Sequence, residues 1–418
     1  MKVHLAYGQG QLTIDLPDNA ALIQPTPTAG LPEERAAVFS ALDKPIRARP
    51  LRENIKSGDR VCIVFTDITR ATPNERLIPW LLEYLAQAPD HEVTLLNGLG
   101  THRPNTAAEL ERMLTPEVTR HYRVLNHEPE NPEALIPLGT TGDGTPALLN
   151  RHLVNADLRI ITGFIEPHFF AGFSGGPKGI MPGVAGLRTI MSNHSSRNLS
   201  SPHAAFGITE HNPLWEELRD IALRPGPSFL LNVALNEQRQ ITSVFAGDLL
   251  AAHRLGCDFV RSSAMQKVDA PFDVVVTTNS GYPLDLNLYQ GVKGMSAALR
   301  IVKPGGTIIM ACECSQGVPA NCSFDQILRS ATSPQEILAK LATPGFSRPE
   351  QWQAQIQALI QTKAHVLLYS SLPEEAVRGA HLVPCRDISA TVQEMAAVNP
   401  ELRIAALPQG PLTIPYLS

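Results

Sequence analysis

His168 and Lys178, ten positions apart, lie within the glycine-rich run Glu166-Pro-His-Phe-Phe-Ala-Gly-Phe-Ser-Gly-Gly-Pro-Lys-Gly179. Gly172, Gly175 and Gly176 can adopt positive φ and let the backbone approach a ligand closely, which places Lys178 at the rim of a bend as a nucleophile or a point charge. Packing alone seldom needs that combination. The run lacks the Gly-Lys-Ser/Thr of a P-loop, so an ordinary nucleoside triphosphate is not the expected ligand. Phe169 and Phe170 would form an apolar wall if they face a substrate.

Such residues need stiff elements to hold them. Short apolar strands alternate with helical stretches along the chain, the pattern of an α/β protein with parallel sheets. Residues 60–70, 91–103 and 157–169 each run from an apolar strand into a polar loop. In open α/β sheets ligands bind beyond the carboxyl ends of strands, so Asp67, Arg70, His102 and His168 are expected to converge on one crevice. Strand, loop and helix repeat from about residue 272, where 284–302 reads as a helix. Gln290 and Lys293, three apart, share one face of that helix, and a solvated face is an alternative to a binding role.

The length of 418 residues argues for two α/β domains with a site in the cleft between them. The expected boundaries are 1–268 for an N-terminal domain carrying Lys178 and both loop histidines, and 272–400 for a C-terminal one. The strand-like end, 403–418, is free to rejoin the first sheet. A net charge of −5 gives no footprint for nucleic acid. No apolar run approaches the ~20 residues that span a bilayer. Six cysteines in so long a chain are too sparse for a disulfide framework, which fits a reducing cytoplasm. Cys312, Cys314 and Cys322 read as buried thiols rather than a partial metal site. Setting aside His102, His168 and His194 leaves ten of the 13 histidines, which read as solvated or hydrogen-bonded loop residues.

Four motifs in order, Thr101-His-Arg103, Glu166 to Lys178, Ser192-Asn-His194 and Tyr289-Gln-Gly-Val-Lys-Gly-Met295, resemble the nickel-pincer lactate racemase family over nearly the whole chain. The resemblance implies two α/β domains and a nickel-pincer nucleotide, a pyridinium mononucleotide whose thioamide and thiocarboxylic arms hold nickel. It implies that Lys178 tethers that cofactor and that His194 completes the nickel coordination. His102 and His168 correspond to the acid/base pair, and Asp67 and Arg70 to a loop contacting cofactor and substrate. Gly175 and Gly176 shape the cofactor bend, while Tyr289, Gln290, Lys293 and Trp352 correspond to residues around the substrate carboxylate. Partners would be a small 2-hydroxy acid and the proteins that build the cofactor.

The residue types suit that chemistry. Removing a proton from the carbon beside an ionised carboxylate is very unfavourable, whereas hydride removal needs an electrophilic acceptor, a base for the hydroxyl and cations for the carboxylate. A histidine with its ordinary pKa near ~6.5 can take and return the hydroxyl proton. Two other readings stay open. His102, His168 and His194 could form a three-histidine zinc site of a hydrolase, or the chain could be a nucleotide-binding homologue without turnover.

Overall fold

The computed structural model describes residues 1–417 other than 320, 321 and 344. The chain forms two compact units. The first comprises residues 27–166 and 170–261, and the second residues 1–26, 167–169 and 262–418.

The first unit is built on a six-stranded sheet. Its strands are β1 (Asp59–Thr66), β2 (His91–Gly98), β3 (Arg123–Asn126), β4 (Leu158–Phe164), β5 (Phe229–Leu235) and β6 (Ile241–Asp248). Their order is β6-β5-β4-β1-β2-β3, parallel throughout except for the antiparallel β5–β6 pair. The run Val61-Cys-Ile-Val-Phe65 is buried without interruption, as expected of a central parallel strand covered on both faces. Helix α1 (Asn74–Leu85) lays Leu77, Ile78, Leu81 and Leu85 into the same core as Ile63, Phe65, Leu95 and Ile160. Two further helices matter for the site: α2 (Leu187–Asn193), and α3 (Leu249–Ala264), whose first turn is capped by the Asp248 carboxylate accepting from the Ala251 N–H at 2.8 Å.

Connections from β1 run outward to β2 and β3, while β4 lies on the opposite side of β1 and leads to β5 and β6. The strand order therefore reverses between β1 and β4. Loops leaving such a switch point diverge and open a crevice at the carboxyl ends.

The second unit repeats this scheme with β7 (Phe272–Thr278), β8 (Val302–Ala311), β9 (His365–Tyr369), β10 (Val383–Pro384) and β11 (Ile404–Leu407). The order is β10-β9-β8-β7-β11, and the segment Ala21–Leu22 adds a parallel edge beside β11. Its switch point falls between β7 and β11. The core joins Val274, Val276, Ile309 and Ala406 to Val3, Leu5 and Ile14 of an N-terminal hairpin pairing Lys2–Tyr7 with Gly10–Asp15. Helix α4 (Leu288–Leu299) follows β7, and α5 (Gln351–Gln361) precedes β9.

Three features differ from the boundaries drawn on sequence. Residues 1–26 belong with the second unit, because the hairpin buries its apolar face there and Ala21–Leu22 pairs with β11. The chain end also stays in the second unit: Ile404–Leu407 lies between β7 and Ala21–Leu22, and Ile414–Leu417 pairs with Met265–Val268. Pro167–Phe169 groups with the second unit, which separates His168 from Lys178 in the division of the chain.

Candidate active site

The first unit gathers its polar residues at the switch-point loops. After β1, the buried Asp67 accepts a hydrogen bond at Oδ2 from His102 Nδ1 at 2.9 Å, and Thr69 Oγ1 donates to both Asp67 oxygens at 3.0 Å. Burial alone would raise the Asp67 pKa. The charges and hydrogen bonds of His102, Arg70 and Thr69 outweigh it, so the carboxyl is held below its usual value. A carboxylate fixed on Nδ1 selects the tautomer that presents Nε2 for proton exchange. Arg70 turns back over this loop, with its guanidinium 3.6 Å from the Glu166 carboxylate. Asn105 ties the two loops together: its Oδ1 accepts from Asn97 Nδ2 at 2.9 Å and from the Ile68 N–H at 3.4 Å.

Beyond β4 the chain makes the glycine bend. Gly175 and Gly176 have φ of +72° and +53°, so both occupy the left-handed region that favours glycine. A Cβ on Gly175 would lie 2.4 Å from Asn232 Oδ1, and one on Gly176 2.4 Å from the His253 ring. The bend leads into a short 3₁₀ turn, Gly176–Gly179, which carries Lys178 into a buried position. The Lys178 ammonium stands 5.7 Å from the centre of the Phe170 ring, and the same ring meets His194 edge-on at 5.2 Å. His194 ends α2, with its N–H on the Ile190 carbonyl at 2.8 Å. Burial first, and the Lys178 charge second, push its pKa down to about 3. The imidazole is therefore neutral and keeps a lone pair suited to a metal.

His253 and Asn232 lie directly behind the bend. His253 on α3 and His127 after β3 are both buried, and burial pushes each down to about 4. The sequence reading put both among solvated or hydrogen-bonded loop histidines. The hydrogen bonds are present, but His253 is a helical core residue. Its signals were the four-residue spacing to Cys257 on an apolar helix face and, for Asn232, an amide inside the apolar strand Phe-Leu-Leu-Asn-Val-Ala-Leu.

In the second unit Pro167–His168 lies against the turn Gly410–Leu412 that follows β11. The His168 and Phe169 rings stack obliquely at 4.9 Å. Asn287 caps α4 by accepting from the Gln290 N–H at 3.0 Å. Tyr289, Gln290 and Lys293 are all buried, which removes the solvated-face alternative. Lys293 Nζ donates to Gln290 Oε1 at 2.6 Å. Trp352 of α5 donates from Nε1 to the Tyr289 hydroxyl at 2.8 Å, and its neighbour Gln353 bonds the Tyr289 carbonyl. The helix thus carries an ammonium, an amide and a phenol whose positions are fixed by their own neighbours.

Cys312 and Cys314 are buried free thiols with sulfurs 3.4 Å apart, and Cys322 caps a different helix. Among the described residues no group of three or more His, Cys, Asp or Glu side chains is placed to hold a metal ion, which leaves the three-histidine zinc reading without support. No helix among them is long and apolar enough to cross a membrane.

Residues 7–207 match the lactate racemase N-terminal domain, and residues 267–414 the lactate racemase C-terminal domain. A lactate racemase of Thermoanaerobacterium thermosaccharolyticum is 34% identical over 418 residues, covering 98% of this chain and 97% of that protein. Another, from Lactiplantibacillus plantarum, is 35% identical over 383 residues, or 90% of each chain. The solved structure of the T. thermosaccharolyticum lactate racemase apoprotein aligns with a TM-score of 0.92 at 32% identity, covering 99% of this chain and 100% of that one. A Thermotoga maritima protein of 21% identity shares the fold, with a TM-score of 0.72 over 92% of this chain and 98% of its own.

Proposed function

The chain belongs to the lactate racemase family, and from that premise we propose that it inverts C2 of a small 2-hydroxy acid with a nickel-pincer nucleotide tethered at Lys178. The observation that carries this reading is a buried lysine on a glycine bend with a neutral, buried histidine beside it. A single imidazole would be a poor metal site alone. It suits a group that brings its own soft sulfur donors, as a late first-row metal prefers. When bound, that nucleotide supplies a two-electron acceptor for the C2 hydrogen.

The chain's own residues would do the rest. His102, oriented through Nδ1 by Asp67, takes the substrate hydroxyl proton at Nε2 and returns it, and His168 does the same for the opposite enantiomer. Lys293 and Gln290, bonded to each other, hold the carboxylate, and Tyr289 and Trp352, also bonded to each other, are further substrate contacts. Arg70 supplies further positive charge, while its contact with Glu166 sets its direction. Phe170 covers the Lys178 and His194 pair, and Phe169 covers His168, so the two phenylalanines shield functional groups from water. We place the enzyme in the cytoplasm, where its six free thiols stay reduced.

The test uses protein produced together with the cofactor-building proteins. A mass increment should map to the peptide containing Lys178, and Lys178→Ala should lack both increment and activity. Substrate deuterated at C2 should racemise in ordinary water with its label kept. An unmodified Lys178 in fully active protein would sink the tether, and deuterium washout at the rate of racemisation would show proton abstraction from carbon instead.

A further inference from the structure

Lys178 has no rigid element of its own. It sits on a turn of four residues, Gly176–Gly179, entered through two consecutive glycines at positive φ, a backbone with many accessible states when unsupported. Two buried side chains from distant parts of the chain take hold of that backbone. Asn232 of β5 accepts the Gly176 N–H at Oδ1, 2.8 Å away, while its Nδ2 is anchored on the Leu231 carbonyl at 3.0 Å. His253 of α3 donates from Nε2 to the Ser174 carbonyl at 2.9 Å. The two bonds flank Gly175, one on the peptide group before it and one on the group after it.

The fit is steric as well as polar. The His253 ring lies so close to Gly176, and the Asn232 carboxamide so close to Gly175, that neither glycine could carry a methyl group without displacing them. His253 is itself held from behind: Trp215 stacks on it with planes 13° apart at 6.4 Å, and Cys257 lies one helical turn away with its sulfur 3.4 Å from Nε2. Glu166 and Ser174 close the base of the bend, the Ser174 N–H donating to the Glu166 carbonyl at 2.9 Å and the Glu166 N–H to Ser174 Oγ at 3.0 Å.

We infer that Asn232 and His253 are positioning residues for cofactor loading: they clamp the Gly175–Gly176 bend in the unloaded protein so that Lys178 is presented in one orientation for attachment. This rests on the reading of Lys178 as the tether. A flexible turn would present the amine in many directions and lower the fraction of productive encounters, whereas a clamped one has that ordering done in advance. The role differs from general stability, because Asn232 and His253 each spend a specific polar atom on the bend backbone.

The experiment measures loading directly. Wild-type, His253→Phe, His253→Gln and Asn232→Leu proteins are produced with the cofactor-building proteins, and the fraction of the Lys178 peptide carrying the mass increment is read by mass spectrometry alongside the melting temperature. Phenylalanine keeps the ring against Gly176 without the donor, and glutamine keeps an N–H donor. His253→Phe and Asn232→Leu should load at most about one-fifth as well as wild type, and His253→Gln should recover at least about half of the loss. Hydrogen exchange on the unloaded wild-type protein adds a readout that no variant's folding can obscure. The Gly176 amide should be protected as strongly as those of β4. Wild-type loading in both His253→Phe and Asn232→Leu, or Gly176 exchanging at the rate of an open loop, would overturn the clamp. No increment in the wild type would overturn the tether reading itself, and the loading role with it.

Discussion

The two units each bury a lysine, and they do it by opposite means. Lys178 stands on a glycine bend whose bracing side chains, Asn232 and His253, lie 54 and 75 positions further along the chain. Lys293 stands on a helix, and its partner Gln290 is three residues away on the same face. The first arrangement depends on tertiary packing to fix the backbone. The second is positioned by helix geometry, because residues three apart lie side by side on any α-helix. A loop-built site can therefore be loosened from a distance, while a helix-built one is altered mainly by changing its own residues.

The largest effect should come from the loop-built half. His102→Ala should lower kcat/KM by roughly 10²–10⁴ from either enantiomer, the range for loss of a general acid/base group, because racemisation in each direction passes through both histidines. Asp67→Asn, which keeps the shape but removes the charge that selects the tautomer, should lower kcat by at least about tenfold with KM little changed. Stopped-time assays starting from each pure enantiomer measure both. Equal kcat values for Asp67→Asn and wild type would show that the loop does not act through that carboxylate.

A smaller effect is expected for the carboxylate contacts, Lys293 and Gln290 on the helix and Arg70 on the loop after β1. Lys293→Ala and Arg70→Ala should each lower kcat/KM by at least about tenfold, equivalent to roughly 1.4 kcal/mol. Gln290→Ala should cost less. The Lys293 and Gln290 double variant should fall short of the sum of the singles, because the two groups touch. Strict additivity would mean that the pair does not work as a unit, and the contrast with the loop-built half would then disappear.

The smallest effect is on stability. His127 and His253, held down to about 4, and His194, held to about 3, stay neutral in the folded protein at pH values where free imidazole takes up a proton. Between about pH 6.5 and pH 4 the unfolded chain thus binds more protons than the folded one, and stability falls as the pH falls. Each group contributes at most roughly 1.4 kcal/mol per pH unit over that window. Calorimetry from pH 7 to pH 4.5 should show the first unit melting earlier as acid is added. His253→Gln should flatten the slope by at most roughly one proton's worth, about 1.4 kcal/mol per pH unit. An unchanged slope would mean that His253 is not buried neutral.

Much of this was legible because chain-local rules govern it. The three strands ending near Asp67, His102 and Glu166 follow from apolar runs that stop at polar loops, and α4 follows from its repeat of Leu288, Val292 and Met295. Positive φ at Gly175 and Gly176 was also readable, since few other residues tolerate it. What stayed hidden was long-range. That Asp67 orients His102 depends on β1 and β2 lying side by side in register. That His253 is a brace rather than a solvated side chain depends on how α3 packs behind the bend. The placement of residues 1–26 rests on β11 offering them a parallel edge nearly four hundred positions later, which no window of local sequence contains.

That last pairing imposes an order on synthesis. Ala21 and Leu22 leave the ribosome long before Ala405 and Ala406, their partners in the second sheet, exist. At about 5–20 residues per second the wait is on the order of 20–80 seconds. During that interval the first unit, whose residues 27–166 and 170–261 all appear earlier, can close around its own core, while residues 21–22 wait for their strand partners to be made. Residues 21–22, made before the first unit, are therefore locked in place after it, and a fragment starting after Thr26 would leave β11 as an open sheet edge, the kind of surface along which strands of separate molecules adhere.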